Sequence, residues 1–372
     1  MNYFNKYSSN TYASSANQHV FRMDKSEIRT GRVFYKITNG GAYNYSLLFS
    51  NIIDSTYADG SVSYKNLVCD EWEIVSARVG KCKSEIFGED FIEEQKTAEI
   101  NDSVTDFIDL TFDGKKAKNV SPGEFFYCDE FLFDVNKNDY LCLEITFKGE
   151  IIPYHEESLL PIFKKTENGW IYSREMPLCG MVGCDRSVDK KIAFVGDSIT
   201  QGIGTEPNSY KHWNALLSER LSGDNSYWNL GIGYARADDF ASGGAWFYKA
   251  KNCDIAFVCF GVNDLIRGFT GEQVINNLEK IIECLKKENI KIILQTVPPF
   301  DYGRDKIEAW KKVNEYILTV LKSKVDYVFD NRYVLGVSEE LLHMAKYGGH
   351  PNAEGSKIWA DALYNEVNEI LK

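Results

Sequence analysis

Residues 191–202 read Lys-Ile-Ala-Phe-Val-Gly-Asp-Ser-Ile-Thr-Gln-Gly, a short apolar run followed at once by a Gly-Asp-Ser turn. A run of this length is typical of a strand that is buried on both faces of a parallel sheet. Glycine permits a tight turn after such a strand, and a serine there can present its hydroxyl to a cleft. An ordinary turn has the same composition, so this stretch alone leaves a structural role and a nucleophilic Ser198 about equally open. A helix is predicted to begin near Ser209.

The same pattern of strand, loop and helix repeats from about Lys190 to the end of the chain. Between the third and fourth strands, apolar residues from Val274 to Leu285 follow the spacing of one helix face. Alternating strands and helices predict an α/β fold with a doubly wound, flavodoxin-like parallel sheet. The predicted strands are Ile192–Val195, Trp228–Leu230, Ile255–Phe260, Ile290–Leu294 and Tyr327–Phe329.

The first half of the chain has a different period. From about Gly31 to Glu175, apolar residues alternate with polar ones in short segments, such as Trp72–Val79 and Tyr140–Phe147, separated by turns. Many strands with almost no helical pattern predict an antiparallel β-sandwich, jelly-roll-like in type. The chain of 372 residues is therefore divided into a β-sandwich accessory domain, 1–187, and an α/β domain, 188–372.

Charge and composition exclude several classes of function. The formal net charge of -12 repels phosphate backbones and anionic headgroups, so neither nucleic acid nor membrane is expected as a partner. No apolar run approaches the roughly 18 residues that span a bilayer. The nine cysteines form no Cys-x-x-Cys pair and the chain has only five histidines, so no structural metal site is expected and a cytoplasmic location is favoured.

Polar groups follow several of the predicted strands. Gly233 follows the second strand, Asn263 the third, and His350 precedes the last helix. Because the carboxyl ends of parallel strands meet at one edge of a sheet, these residues are expected to gather near Ser198. Acyl transfer to a serine requires a base, which an imidazole can supply, and oxyanion donors, which a backbone N–H and a side-chain amide can supply. The other four histidines are expected to be solvated or structural: His19, His155, His212 and His343.

These residues resemble the successive blocks of the SGNH, or GDSL-type, hydrolases. The blocks are Gly196-Asp-Ser-Ile-Thr, the glycine after the second strand, Gly261-Val-Asn-Asp and His350-Pro-Asn-Ala-Glu-Gly, in the order of that family and over about Lys190 to Lys372. The resemblance implies that Ser198 is the nucleophile and His350 its general base. It also implies an oxyanion hole formed by the N–H groups of Ser198 and Gly233 and the amide of Asn263.

The chain departs from the family pattern at two positions. Family members usually carry an aspartate three residues before the histidine, and Tyr347 occupies that position here. Some esterases of the family are described as Ser-His dyads in which a backbone carbonyl holds the imidazole, and a carbonyl within 345–347 is favoured here. Four carboxylates are alternatives: Asp330, Glu339, Glu340 and Glu354. The second departure is Tyr234, which stands where a glycine often follows, so that Gly233 is a shifted assignment.

A Ser-His mechanism requires no metal or organic cofactor. A β-sandwich before such a domain resembles the layout of carbohydrate esterases that remove acetyl groups, which makes a small-molecule or oligosaccharide ester the expected substrate. Tyr43, Tyr45, Tyr57, Trp72, Trp170 and Trp246 are candidates to stack on sugar rings, although each is more readily explained as a core residue. A lipase or thioesterase for longer acyl chains and a non-catalytic binding protein are the alternative functions. A homo-oligomer is left open.

Overall fold

The computed structural model describes residues 2–56, 64–87, 97–221, 224–336 and 339–371. The chain divides into two compact units. The first comprises Met1–Asp54, Asn66–Val188 and Pro207–Ser209, and the second comprises Ser55–Lys65, Asp189–Glu206 and Tyr210–Lys372.

The first unit is rich in strands. Its short helices are α1 (Tyr3–Lys6), α2 (Thr97–Asp102) and the 3-10 helix Ser84–Ile86. The strands of this half of the chain are β1 (Ser8–Ser9), β2 (His19–Arg22), β3 (Arg29–Lys36), β4 (Gly41–Ser50), β5 (Ile52–Thr56), β6 (Tyr64–Val68), β7 (Trp72–Cys82), β8 (Thr105–Asp109), β9 (Lys118–Val120), β10 (Phe125–Tyr127), β11 (Phe131–Val135), β12 (Tyr140–Gly149), β13 (Ile151–Tyr154), β14 (Ile162–Thr166), β15 (Gly169–Tyr172) and β16 (Met181–Cys184).

Two antiparallel sheets make up most of this unit. One runs in the order β15-β14-β3-β12-β7-β8, with β9 also paired to β7, and the other in the order β1-β16-β4-β10, with β11 paired to β4. The sheets contact each other where the ring of Trp72 packs edge-on to Phe126, with 6.3 Å between centroids. The strand-rich character predicted from the sequence is confirmed, whereas the jelly-roll arrangement stays a prediction.

The second unit contains the predicted parallel sheet. Its strands are β17 (Lys191–Gly196), β18 (Ser226–Asn229), β19 (Ile255–Cys259), β20 (Lys291–Gln295), β21 (Tyr327–Phe329), β22 (Ala345–Tyr347) and β23 (His350–Pro351). Its helices are α3 (Ser198–Gln201), α4 (Trp213–Arg220), α5 (Ala237–Ala241), α6 (Ala245–Ala250), α7 (Val262–Ile266), α8 (Gly271–Lys287), α9 (Arg304–Thr319), α10 (Glu339–Met344), α11 (Ala353–Leu371) and the 3-10 helix Leu321–Ser323.

All five predicted strands are confirmed, and they lie in the order β18-β17-β19-β20-β21 with every pairing parallel. In such a doubly wound sheet the connections leave on opposite faces on the two sides of the first strand, here between β17 and β19. The loops after these two strands carry Ser198 and Asn263. The topology therefore opens a crevice at the carboxyl edge beside both residues.

Helix α8 shows how local sequence sets an element that covers this sheet. Its N-terminus is a reciprocal capping box, in which Thr270 Oγ1 accepts the N–H of Gln273 and Gln273 Oε1 accepts the N–H of Thr270. Its predicted apolar face is buried throughout. Each buried aliphatic side chain stabilises the fold by about 1.5–3 kcal/mol. The buried residues of that face are Val274, Ile275, Leu278, Ile281, Ile282 and Leu285.

Among the helices within the described residues, none combines the length and the apolar character needed to cross a bilayer.

Candidate active site at the carboxyl edge of the parallel sheet

Ser198 is the first residue of a one-turn helix, α3, that follows β17 directly. Asp197 caps this turn, because its Oδ1 accepts the N–H of Ile199 at 3.0 Å, and Gly202 ends it with a left-handed φ of 114°. The prediction of a helix beginning near Ser209 is wrong: the chain turns helical at Ser198 itself, and α4 begins only at Trp213. The cap and the glycine together hold the serine on a sharp bend.

His350 lies against this bend. It starts β23, the second strand of a short hairpin with β22, and its Nε2 is 2.8 Å from Ser198 Oγ. Both side chains are almost fully buried, with 9% of Ser198 and 7% of His350 exposed. The structure therefore brings together two residues that are 152 positions apart in the sequence, in the arrangement of a nucleophile and its base.

The other imidazole nitrogen faces the backbone. Nδ1 of His350 is 3.3 Å from the carbonyl oxygen of Tyr347, within the segment favoured from the sequence. A carbonyl can only accept a hydrogen bond, so Nδ1 carries the hydrogen and Nε2 is left to accept the proton of Ser198. Of the alternative carboxylates, Asp330 is held in a two-pronged ion pair by Arg332.

The remaining alternative carboxylates are Glu339, Glu340 and Glu354. The side chains of Glu339 and Glu340 fall outside the described part of the chain, and Glu354 is exposed on the first turn of α11. The site geometry given by the structure thus assigns the contact with Nδ1 to a backbone carbonyl.

Burial sets the basicity of His350. Desolvation lowers its pKa to about 4, and the hydrogen bond to the Tyr347 carbonyl opposes this shift. The sequence led us to expect a neutral imidazole above its ordinary pKa near 6.5. The imidazole is instead neutral, and able to accept a proton, over a wider range of pH than expected.

Asn263 and Asp264 hold the loop that follows β18. The Nδ2 of Asn263 donates to the carbonyl of Ala235 at 3.0 Å, and Oδ2 of Asp264 accepts the N–H of Ala237 at 2.9 Å. The amide of Asn263 carries two hydrogens, so one bond to Ala235 leaves a second for another acceptor. Two consecutive side chains after β19 therefore fix the loop that contains Gly233.

That loop packs closely on the serine bend. A Cβ at Gly231 would lie 2.2 Å from the backbone nitrogen of Gln201, which only glycine avoids. Two positions later Gly233 is buried, and Tyr234 follows with φ of 64°, in the left-handed region that favours glycine. Backbone strain of this kind is concentrated at functional sites. Gly233 as an oxyanion donor stays a prediction, and the strain falls on its neighbour Tyr234.

Two buried carboxyl groups lie beside these residues, and the sequence reasoning missed both. Burial raises the pKa of Asp197 to about 7; the N–H of Ile199 opposes the shift and Asp264 adds to it. Burial also raises the pKa of Asp264 to about 7, and the N–H of Ala237 opposes it. Within the described residues, Oδ1 of Asp264 has no hydrogen-bond partner. Their positions in the sequence could have identified them, because each aspartate is adjacent to a candidate site residue just past the end of a strand.

The aromatic candidates for sugar stacking are mostly core residues. Trp72, Trp246 and Tyr45 are buried, Tyr43 and Trp170 are partly exposed, and Tyr57 lies outside the described residues. The described residues contain no group of three or more histidines, cysteines or carboxylates arranged to hold a metal ion.

Comparison with known proteins points to the same half of the chain. Residues 194–358 match the model of the GDSL-like Lipase/Acylhydrolase family. An uncharacterized protein of Mycoplasma pneumoniae is 27% identical over 168 residues, 42% of this chain and 19% of that one. Thioesterase 1/protease 1/lysophospholipase L1 of Escherichia coli is 23% identical over 185 residues, 48% of this chain and 84% of that one.

Among solved structures, a carbohydrate esterase family 3 protein from Talaromyces cellulolyticus matches with a TM-score of 0.40 and 19% identity, covering 49% of this chain and 97% of that one. The chain spans less than a third of the length of the first curated relatives it matches. The family match includes Ser198, Asn263 and His350. The segment that carries these three residues, 194–358, therefore matches the GDSL-like Lipase/Acylhydrolase family.

Proposed function

We propose that the protein is a serine esterase that removes short acyl groups, acetyl above all, from carbohydrate esters by means of a Ser198–His350 dyad. The observation that carries the proposal is the 2.8 Å contact between Ser198 Oγ and His350 Nε2 at the carboxyl edge of the sheet. The proposal extends to a cytoplasmic site of action on oligosaccharide fragments.

In the proposed reaction, His350 Nε2 takes the hydroxyl proton as Ser198 Oγ attacks the ester carbonyl. The N–H groups of Ser198 and Gly233 and the amide of Asn263 stabilise the tetrahedral oxyanion. The imidazolium then returns the proton to the leaving alcohol oxygen, and an acyl-serine forms. Water, deprotonated by the same imidazole, attacks the acyl-serine. The imidazolium then protonates Ser198 Oγ as the acid leaves, which restores the free serine and the neutral imidazole.

The Tyr347 carbonyl takes the place of the usual acid in this scheme. It fixes the tautomer of His350 through Nδ1 but contributes no full negative charge to the imidazolium. In a serine protease, removing the acid alone costs less than removing the serine or the histidine. A dyad with a well-oriented imidazole is therefore sufficient for ester hydrolysis, where the leaving alcohol departs more readily than an amine.

The decisive experiment is covalent labelling by a serine-directed fluorophosphonate, with the modified residue located by mass spectrometry. We expect one label, on Ser198, together with turnover of p-nitrophenyl acetate, and loss of both in Ser198→Ala. The matched control is Ser356→Ala, since Ser356 is a buried serine of the same unit in α11. A wild-type protein that shows neither label nor turnover would be a binding protein with this fold.

A second candidate, hydrolysis of longer acyl esters or thioesters, is favoured by the match to Escherichia coli thioesterase 1. The length of the acyl pocket separates the two. For an acetyl esterase, kcat/KM on p-nitrophenyl esters falls steeply from acetate to octanoate. The opposite trend, or a preference for acyl thioesters, would replace the acetyl proposal and leave the Ser-His mechanism in place.

A further inference from the structure

The side chain of Tyr347 stands beside the imidazole that its own carbonyl contacts. Its ring centroid is 4.5 Å from that of His350, at an interplanar angle of 39°, and 54% of the residue is exposed. Phe300 packs edge-on to the same imidazole, with 5.3 Å between centroids. Within the described part of the chain, His350 therefore packs against these two rings, and Tyr347 is more exposed than Phe300, which is partly buried.

The hairpin fixes this ring in place. Tyr347 and His350 are paired across β22 and β23. The intervening Gly349 allows the hairpin to approach Phe300 closely, because a Cβ there would lie 2.3 Å from the carbonyl oxygen of Pro299. The adjacent Lys346 forms an ion pair with Glu206 at 3.1 Å. The ring is thus presented by a braced turn rather than by a free loop.

The chemistry determines which part of a substrate meets this ring. The general acid must lie about 2.6–3.2 Å from the leaving oxygen when it returns the proton. The alcohol half of the ester therefore lies against His350, whereas the acyl half is bonded to Ser198 Oγ. An exposed ring 4.5 Å from the imidazole is placed to contact the alcohol half.

We propose that Tyr347 is a specificity-determining residue whose ring forms a platform for the sugar ring of the leaving alcohol. The inference rests on the proposed esterase function and assigns the alcohol-side contact within that site. The C–H groups on a pyranose face pack on an aromatic ring as other apolar groups do. Position 347, where family members usually carry an aspartate, thereby supplies a binding surface in this chain.

The test compares two monoacetates that differ only in the alcohol: a methyl xylopyranoside with a single acetyl group and ethyl acetate. Both are assayed at pH 8, where His350 is neutral. In Tyr347→Ala we expect the ratio of kcat/KM for the glycoside to that for ethyl acetate to fall about tenfold, chiefly through KM. Tyr347→Phe is expected to retain the ratio, because it keeps the ring. The ratio of kcat/KM for p-nitrophenyl butyrate to that for p-nitrophenyl acetate should not change, because the platform lies on the alcohol side.

The matched control is Tyr248→Ala, which removes another partly exposed tyrosine of the same unit, on α6, and should leave the glycoside ratio as in the wild type. If Tyr347→Ala slows both acetates equally, or alters acyl preference, the platform is disproved while the esterase stands. If the ratio of kcat/KM for the glycoside to that for ethyl acetate falls in Tyr347→Phe as far as in Tyr347→Ala, the hydroxyl and not the ring determines the preference. The platform is then also disproved. A wild type that hydrolyses neither acetate removes both proposals.

Discussion

At His350, two aromatic rings and a carbonyl occupy the surroundings where a carboxylate usually stands. Burial disfavours the charged imidazolium, and among the described residues Nδ1 faces a backbone carbonyl rather than a carboxylate, so the pKa is lowered to about 4. The base form is therefore present above that pH. We expect kcat/KM to rise with pH through about 4 and to reach its plateau by about pH 5–6, which is more acidic than an unperturbed histidine would allow.

Restoring an acid at position 347 tests this explanation. A carboxylate within about 4–6 Å raises the pKa of an imidazole by about 1–3 units, so Tyr347→Asp should move the acid limb of the pH–rate profile upward by at least about one unit. Tyr347→Asn is the matched control, with the same size and no charge. If the acid limbs of the two pH–rate profiles coincide, then loss of the ring, and not the added charge, governs the pKa of His350.

Asp197 gives a second prediction at this scale, in stability rather than rate. The pKa of its carboxyl group in the folded protein, about 7, lies above the ordinary pKa of 3.8 for an aspartate. Between these pH values the folded chain holds a proton that the unfolded chain has released, so stability decreases as pH rises from about 4 to 7. Asp197→Asn keeps the helix cap and cannot ionise.

The Asn variant should therefore match the wild type near pH 4 and gain in Tm as the pH approaches 8, by about 2–4 °C for each kcal/mol of relief. Exposed Asp301→Asn serves as the control for loss of one charge. A gain that is the same at pH 4 and pH 8 would mean that Asp197 is already ionised in the folded protein at low pH.

At the scale of elements, the sequence predicted what local periodicity determines. The strands of the parallel sheet and the buried face of α8 are confirmed, because apolar runs and helical spacing are local properties. The one-turn helix at Ser198 was missed, since it depends on a cap at Asp197 and a left-handed Gly202 rather than on periodicity. The Tyr347 side chain and Phe300 were also beyond prediction, because their approach to His350 depends on tertiary packing.

The contact between the β18 loop and α3 yields the prediction for this scale. Gly231→Ala puts a Cβ where the backbone nitrogen of Gln201 would be 2.2 Å away, so either the loop or the serine bend must move. Because a shift of about 1 Å costs on the order of a hundredfold in rate, we expect kcat on p-nitrophenyl acetate to fall by that much. Gly271→Ala is the control, since its Cβ would meet its nearest neighbour at an ordinary 3.4 Å. Full activity in Gly231→Ala would show that this contact does not hold the nucleophile in place.

At the scale of the whole molecule, the candidate chemistry is confined to one of the two units. Ser198, Asn263 and His350 all lie in the second unit, within the segment that matches the hydrolase family. The strand-rich first unit carries none of the residues predicted for catalysis or the oxyanion hole. The formal net charge is a property of the chain as a whole, and it acts on a charged substrate before contact is made.

With a formal net charge of -12, the molecule should discriminate against anionic esters by long-range repulsion. The paired substrates are an acetylated methyl glucuronoside and its methyl ester, which differ by one charge. We expect kcat/KM to favour the neutral ester roughly threefold at low salt. The preference should vanish near 0.5 M NaCl, where the screening length falls to about 4 Å.

The contrary result, an anion preferred at low salt, would indicate a local cation that outweighs the net charge. Arg267, whose guanidinium lies 5.7 Å from the ring centroid of Tyr234, would then be the residue to replace with glutamine.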